Sequence, residues 1–138
     1  MKTEEREIVE IVTKHFAEVQ AIYLFGSFAS ADDGPDSDVD LALLLSHQRA
    51  KTVGNLFLHP VHAELERSLN RDVDLVNLRC VSTVMQKEVI MADRRICCAD
   101  QYAADEFEML TISFYQKLNE ERADIIEEAL KSGKFHNL

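Results

Sequence analysis

The sequence predicts an α/β (α+β) fold: a small sheet covered by helices, with a long helix near the C-terminal end. Three observations carry this. Short apolar runs stop at turn residues or open on acidic ones, stretches between them repeat apolar residues at three- and four-residue spacing, and the two kinds alternate as α-β-loop-β-α-β-α-β-α.

The first helix starts near Thr3, a residue suited to capping. Its Ile8, Ile11, Val12, His15, Phe16 and Val19 share one face, and Glu4, Glu5 and Glu7 lie where acidic groups complement the helix dipole. Residues 21–25, Ala-Ile-Tyr-Leu-Phe, read as a buried strand ended by Gly26. Residues 30–37 are polar, carry Gly34 and Pro35, and form a loop. Asp38-Val39-Asp40 then opens a second strand, and its continuation over 41–45 is apolar throughout, as in the centre of a sheet. Residues 47–70 are helical in composition with a break at Pro60, after which Val61, Leu65 and Leu69 form a stripe. A strand follows at 72–76, a helix capped by Ser82 at 82–92, and a short strand at 96–99. The helix over 100–131 places Phe107, Leu110, Phe114, Leu118, Ile125 and Ala129 near one face, with Gly133 just past its end. Core packing is the first expectation for each of Tyr102, Phe107, Met109 and Tyr115, and any apolar area left over is available to a partner.

The chain has 138 residues, 46% of them apolar, which is enough for one domain over 1–138 with a substantial core. Its 15 Lys and Arg stand against 25 Asp and Glu, a net charge of −10 that disfavours direct binding to a nucleic-acid backbone. No apolar run approaches the length of a membrane span, and the acidic N-terminal segment does not read as a signal peptide, so a cytoplasmic location is expected. Cys80, Cys97 and Cys98 have neither disulfide nor zinc-knuckle spacing and are expected to be small buried residues. His59-Pro60-Val61-His62 has three-residue histidine spacing, but with Pro between them and no third soft ligand nearby these are expected to be surface or core histidines. Surface solvation is expected for Arg94 and Arg95, and core packing for Tyr23.

The tetrapeptide Asp-Val-Asp-Leu occurs at 38–41 and again at 72–75. Residues i and i+2 of a strand share a face, so Asp38 pairs with Asp40 and Asp72 with Asp74. Carboxylates that close together resist joint ionisation unless a cation compensates them, and oxygen-only ligands suit Mg²⁺ or Mn²⁺. Gly26 and Ser27, directly after a buried strand, would let a backbone approach a ligand closely and offer amides to phosphate oxygens. Ten residues separate Ser27 from Asp38. An EF-hand reading beginning at Asp36 fails, because Leu41 and His47 stand where Gly and Glu are needed, and no P-loop is present.

With Leu24-Phe25-Gly26-Ser27-Phe28-Ala29, then Ser37-Asp38-Val39-Asp40-Leu41-Ala42, then Asp72-Val73-Asp74-Leu75-Val76, the chain resembles the DNA polymerase β-like nucleotidyltransferases. Within that superfamily it is most similar to the minimal MNT type, commonly the antitoxins of HEPN/MNT pairs. The resemblance implies the nucleotidyltransferase fold with a small mixed sheet. It also implies Mg²⁺-dependent transfer of AMP from ATP to a hydroxyl with release of pyrophosphate. Gly26 and Ser27 would hold the triphosphate. Asp38 and Asp40 would bind two Mg²⁺ ions, and Asp74 would complete one metal site and assist deprotonation. Asp72 could replace Asp74 as that ligand, although the family phrasing favours Asp74. For a type VII-like pair, the resemblance further implies a hetero-oligomer with a HEPN ribonuclease toxin, whose tyrosine hydroxyl accepts AMP and which is thereby neutralised.

Two other readings share these residues. One is an antitoxin that acts by binding alone. The other is an adenylyltransferase of the aminoglycoside-resistance kind, which the lack of room for an acceptor-binding domain makes less suitable. That size argument favours a protein partner.

Overall fold

The computed structural model describes residues 3–26 and 37–132. Ser27, Phe28, Ala29, residues 30–36 of the loop expected over 30–37 and the stop at Gly133 lie outside the described residues. Four strands form one sheet: β1 (Ala21–Phe25), β2 (Val39–Leu44), β3 (Val73–Asn77) and β4 (Arg95–Cys98), in the order β3-β2-β1-β4. β1 is antiparallel to β2 and β4, whereas β2 and β3 are parallel, so the sheet is mixed. The apolar run after Asp40 occupies an interior strand, as its composition predicts.

Parallel strands need a long crossover. Here it consists of α2 (His47–Val53), a 3₁₀ turn (Leu56–Leu58) and α3 (Pro60–Leu69). Pro60 opens α3 without loss, because the first helical position has no intrahelical acceptor for an N–H. Ser46 caps α2 by accepting from the Arg49 N–H at 3.2 Å, and the His59 ring Nδ1 accepts from the Val61 N–H at 3.1 Å.

Helices cover both faces. On one, Ile8, Ile11 and Val12 of α1 (Thr3–His15), with Phe16 and Val19 beyond its end, pack with Val61, Leu65 and Leu69 of α3 over Ile22, Leu24, Leu41, Leu43 and Leu75. The Glu64 carboxylate bonds to Lys14 and to His15, tying α3 to α1. On the other face, Val89 of α4 (Thr83–Met91) and Ala104 and Phe107 of α5 (Gln101–Ser132) cover Ala21, Tyr23, Ala42, Leu44 and Val76. Ser82 caps α4, as expected, and the Asp100 side chain caps α5 through the Ala103 N–H at 3.0 Å.

Two expectations are corrected. The α5 stripe is core only at its start: Ala104, Phe107 and Thr111 are buried, but Tyr102, Met109, Leu110, Phe114 and Ile125 are exposed. Tyr102 and Met109 point away from the side that carries Ala104, Phe107 and Thr111, and beyond Thr111 a helix of 32 residues, about 48 Å long, outruns the sheet it covers. Nor are the cysteines buried. Cys80 and Cys98 are exposed and Cys97 is half-buried, because β4 is an edge strand and Cys80 ends a 3₁₀ turn (Leu78–Cys80) at the surface. Among the described residues no helix is long and apolar enough to cross a membrane.

The two halves of α5 should therefore respond differently to truncated side chains. Phe107→Ala is expected to destabilise the fold by about 3 kcal/mol in urea unfolding, and Ile125→Ala by less than about 0.5 kcal/mol.

Candidate active site

Asp40 of β2 lies opposite Asp74 of β3 on one side and opposite Phe25 of β1 on the other. Strand alternation turns Asp40 to the same face as Ala42 and Leu44, and Asp74 to that of Val76. All three apolar residues belong to the core beneath α4 and α5, so the carboxylates stand where that core gives out. Asp38, exposed, immediately precedes β2.

Partial burial pushes the Asp40 carboxyl above its ordinary range, and the negative charges of Asp74 and then Asp38 push it further. The structure thus brings together Asp38, Asp40 and Asp74 of the residues singled out in the sequence. The Asp72 carbonyl accepts from the Val39 N–H at 2.9 Å.

Gly26 ends β1 with φ +74°, a conformation that glycine adopts freely. A Cβ there would lie 2.0 Å from Oδ2 and 3.0 Å from Cγ of Asp40. The missing side chain is the space the carboxylate occupies. The Gly26 carbonyl is held by Arg94, whose Nη1 donates at 2.8 Å, and the Arg94 carbonyl in turn accepts from the Leu24 N–H at 2.9 Å. Arg94, expected to be merely solvated, therefore secures the turn beside the carboxylates. No spacing in the sequence marks it for that task.

The donors are oxygens throughout. Among the described residues no three His, Cys, Asp or Glu side chains are gathered closely enough to form a ready-made ion cage. Oxygen donors suit Mg²⁺, which takes one or two protein carboxylates and completes its shell with phosphate and water oxygens. The opposed ionisation of Asp40 is what a bound cation would relieve. The histidines serve the fold: His59 caps α3, and buried His62 bonds to the Val73 carbonyl.

Tyr23, on the carboxylate-bearing face, is 2% exposed. Its hydroxyl donates to Glu108 at 2.8 Å, and Arg95 joins Glu108 at 2.8 Å and Asp105 at 3.3 Å. Burial first, and then Glu108, raise its ionisation well above the usual phenol range, so Tyr23 stays a neutral donor.

The family described as "Polymerase beta, Nucleotidyltransferase" matches residues 6–102. Protein adenylyltransferase MntA of Shewanella oneidensis is 35% identical over 127 residues, 91% of this chain and 87% of the relative. A toxin–antitoxin crystal structure with AMP-PNP aligns at a TM-score of 0.75 and 32% identity, over 91% of this chain and 98% of the other. A tri-AMPylated Shewanella oneidensis HEPN toxin in complex with MNT antitoxin aligns at 0.71 and 32%, over 92% and 96%.

The raised carboxyl has a measurable sign. Asp40 holds its proton more tightly folded than unfolded, so its contribution to stability is present in acid and is lost as pH rises through its raised value. In metal-free protein, Asp40→Asn is expected to melt higher than the natural chain at neutral pH, with the gain vanishing on acidification. Gly26→Ala is expected to cost about 1–2 kcal/mol of stability from its positive φ. Nucleotidyl transfer should also fall, about tenfold or more, because the new methyl displaces the Asp40 carboxylate.

Proposed function

The chain belongs to the polymerase beta nucleotidyltransferase family, and from that premise we propose that it is the antitoxin of a HEPN/MNT pair, moving AMP from ATP onto a tyrosine of its HEPN ribonuclease. The observation that carries this reading is the placement of Asp40 between two further carboxylates and a glycine whose bare Cα makes room for it. The similarity to an adenylyltransferase, and to an MNT antitoxin solved with an AMPylated HEPN toxin, supports the donor and the class of acceptor.

In the proposed reaction the tyrosine oxygen attacks the α-phosphorus of ATP, a phosphate-ester bond forms, and the bond to the bridging oxygen breaks to release pyrophosphate. Gly26 and Ser27, directly after the buried strand β1, receive the triphosphate through their backbone amides. Asp38 and Asp40 face the nucleotide as ion ligands. Asp74, exposed beside them, completes that set and draws the proton from the attacking hydroxyl. Bound Mg²⁺, two ions in this reading, supplies charge neutralisation and a lowered pKa for the nucleophile. Tyr23, the tyrosine on the carboxylate-bearing face, is sealed against Glu108 and is not the acceptor. Hydroxylated small molecules such as aminoglycosides share the acceptor chemistry but leave the similarity to toxin–antitoxin complexes unused.

The test is to incubate the chain with its HEPN partner, α-labelled ATP and Mg²⁺. Label on a partner tyrosine and loss of ribonuclease activity are expected. Replacing Asp38 and Asp40 with Asn should lower labelling by about 100-fold or more and abolish protection. An unlabelled partner that is still neutralised would leave an antitoxin that acts by binding alone.

A further inference from the structure

β3 is an edge strand, with β2 on one side only. In the parallel register Val39 lies opposite Val73, and its N–H bonds to the carbonyl of Asp72. Alternate residues of a strand face the partner, so the N–H and C=O of Val73 point away from β2 toward the open edge. Val73 is only 5% exposed, and backbone groups buried there need partners.

Two side chains of α3 supply them. Glu66 Oε2 accepts from the Val73 N–H at 3.0 Å, and His62 Nε2 donates to the Val73 carbonyl at 2.8 Å. The two residues are one helical turn apart, with 3.6 Å between His62 Nε2 and Glu66 Oε2. The Phe57 ring lies against the imidazole with centroids 4.8 Å apart. The α3 helix thus completes the edge of the sheet at a single residue.

That residue immediately precedes Asp74. The Val73 carbonyl belongs to the peptide unit that carries the Asp74 nitrogen, so His62 fixes the plane from which the Asp74 side chain departs. The unit before it is held at both ends, its carbonyl by the Val39 N–H and its N–H by Glu66.

We propose that His62 and Glu66 are positioning residues for Asp74: clamping both backbone groups of Val73, they set the direction of the third carboxylate. The proposal rests on the reading of Asp74 as an ion-facing ligand. Support held at a distance from the ion is typically worth 10–100-fold in metal affinity.

The test uses the full chain with AMP-PNP and with Mn²⁺ as probe ion, following free Mn²⁺ by its paramagnetic resonance and exchange of the Val73 amide hydrogen by NMR. Glu66→Met is expected to weaken Mn²⁺ binding about 10-fold and to speed amide exchange. Glu66→Gln, which keeps an acceptor oxygen for the Val73 N–H, is expected to behave as the natural chain. His62→Leu should match Glu66→Met. If it does not fold, the two Glu66 variants decide the matter, because Glu66 is one-third exposed and tolerates the change. Asp74→Asn must itself weaken Mn²⁺ binding, and adding Glu66→Met to it should cost nothing more. An Asp74→Asn protein that binds Mn²⁺ normally overturns the reading of Asp74 and the proposal with it. Weakened binding in Asp74→Asn but unchanged binding and exchange in Glu66→Met overturns the positioning role alone.

Discussion

Carboxylates set side by side repel one another, and this fold keeps three of them together at one end of its sheet. Burial and its neighbours oppose the charge of Asp40. What holds the arrangement is the backbone behind it. β2 is flanked by a strand on each side, the Ser37 carbonyl accepts from Arg71 at 3.1 Å, and the Gly26 carbonyl accepts from Arg94. None of these contacts reaches a carboxylate oxygen. The repulsion that raises the Asp40 carboxyl is what a bound cation would relieve.

The two faces of the sheet divide the remaining work. α1 and α3 provide the larger apolar core, and α3 also completes the β3 edge through His62 and Glu66. The face under α4 and α5 ends in the polar group of Tyr23, Glu108, Arg95 and Asp105, close to the row that contains Phe25 and Asp40. A buried phenol beside a carboxylate is costly unless it is hydrogen-bonded. Its bond to Glu108 keeps this face polar without adding a competing nucleophile.

Much of this was legible in the chain itself. Residues 21–25 read as a strand because an apolar run met Gly26, and the long crossover was visible in the stripe after Pro60. The paired acidic residues could be placed on a common face by strand alternation alone. Other features depend on which elements become neighbours. Periodicity gives α5 an apolar side but cannot say where the sheet beneath it ends, so Phe107 and Ile125 look alike in sequence and differ in burial. The cysteines lie in apolar segments, yet β4 forms an edge. Arg94 acts on the backbone of Gly26, far away in the chain, and Glu66 on that of Val73 across the turn between α3 and β3, and nothing in local composition marks such bonds. That His59 caps a helix and His62 closes a sheet edge follows only from the packing of α3.

The outer part of α5 bears on how copies of this molecule meet one another. Exposed Ile125, Ile126 and Leu130 are interleaved with Glu120, Glu121, Asp124, Glu127 and Glu128, against Arg122 and Lys131, the latter paired with Glu127. Two copies approaching by this stripe would bring their carboxylates together, and like charge at such distances resists association at low ionic strength. Raising the salt screens that repulsion while leaving the apolar attraction in place. Some of the acidity behind the net charge of −10 thus lies on the outer part of α5, away from the carboxylates of the sheet, where repulsion between copies would weaken as salt rises.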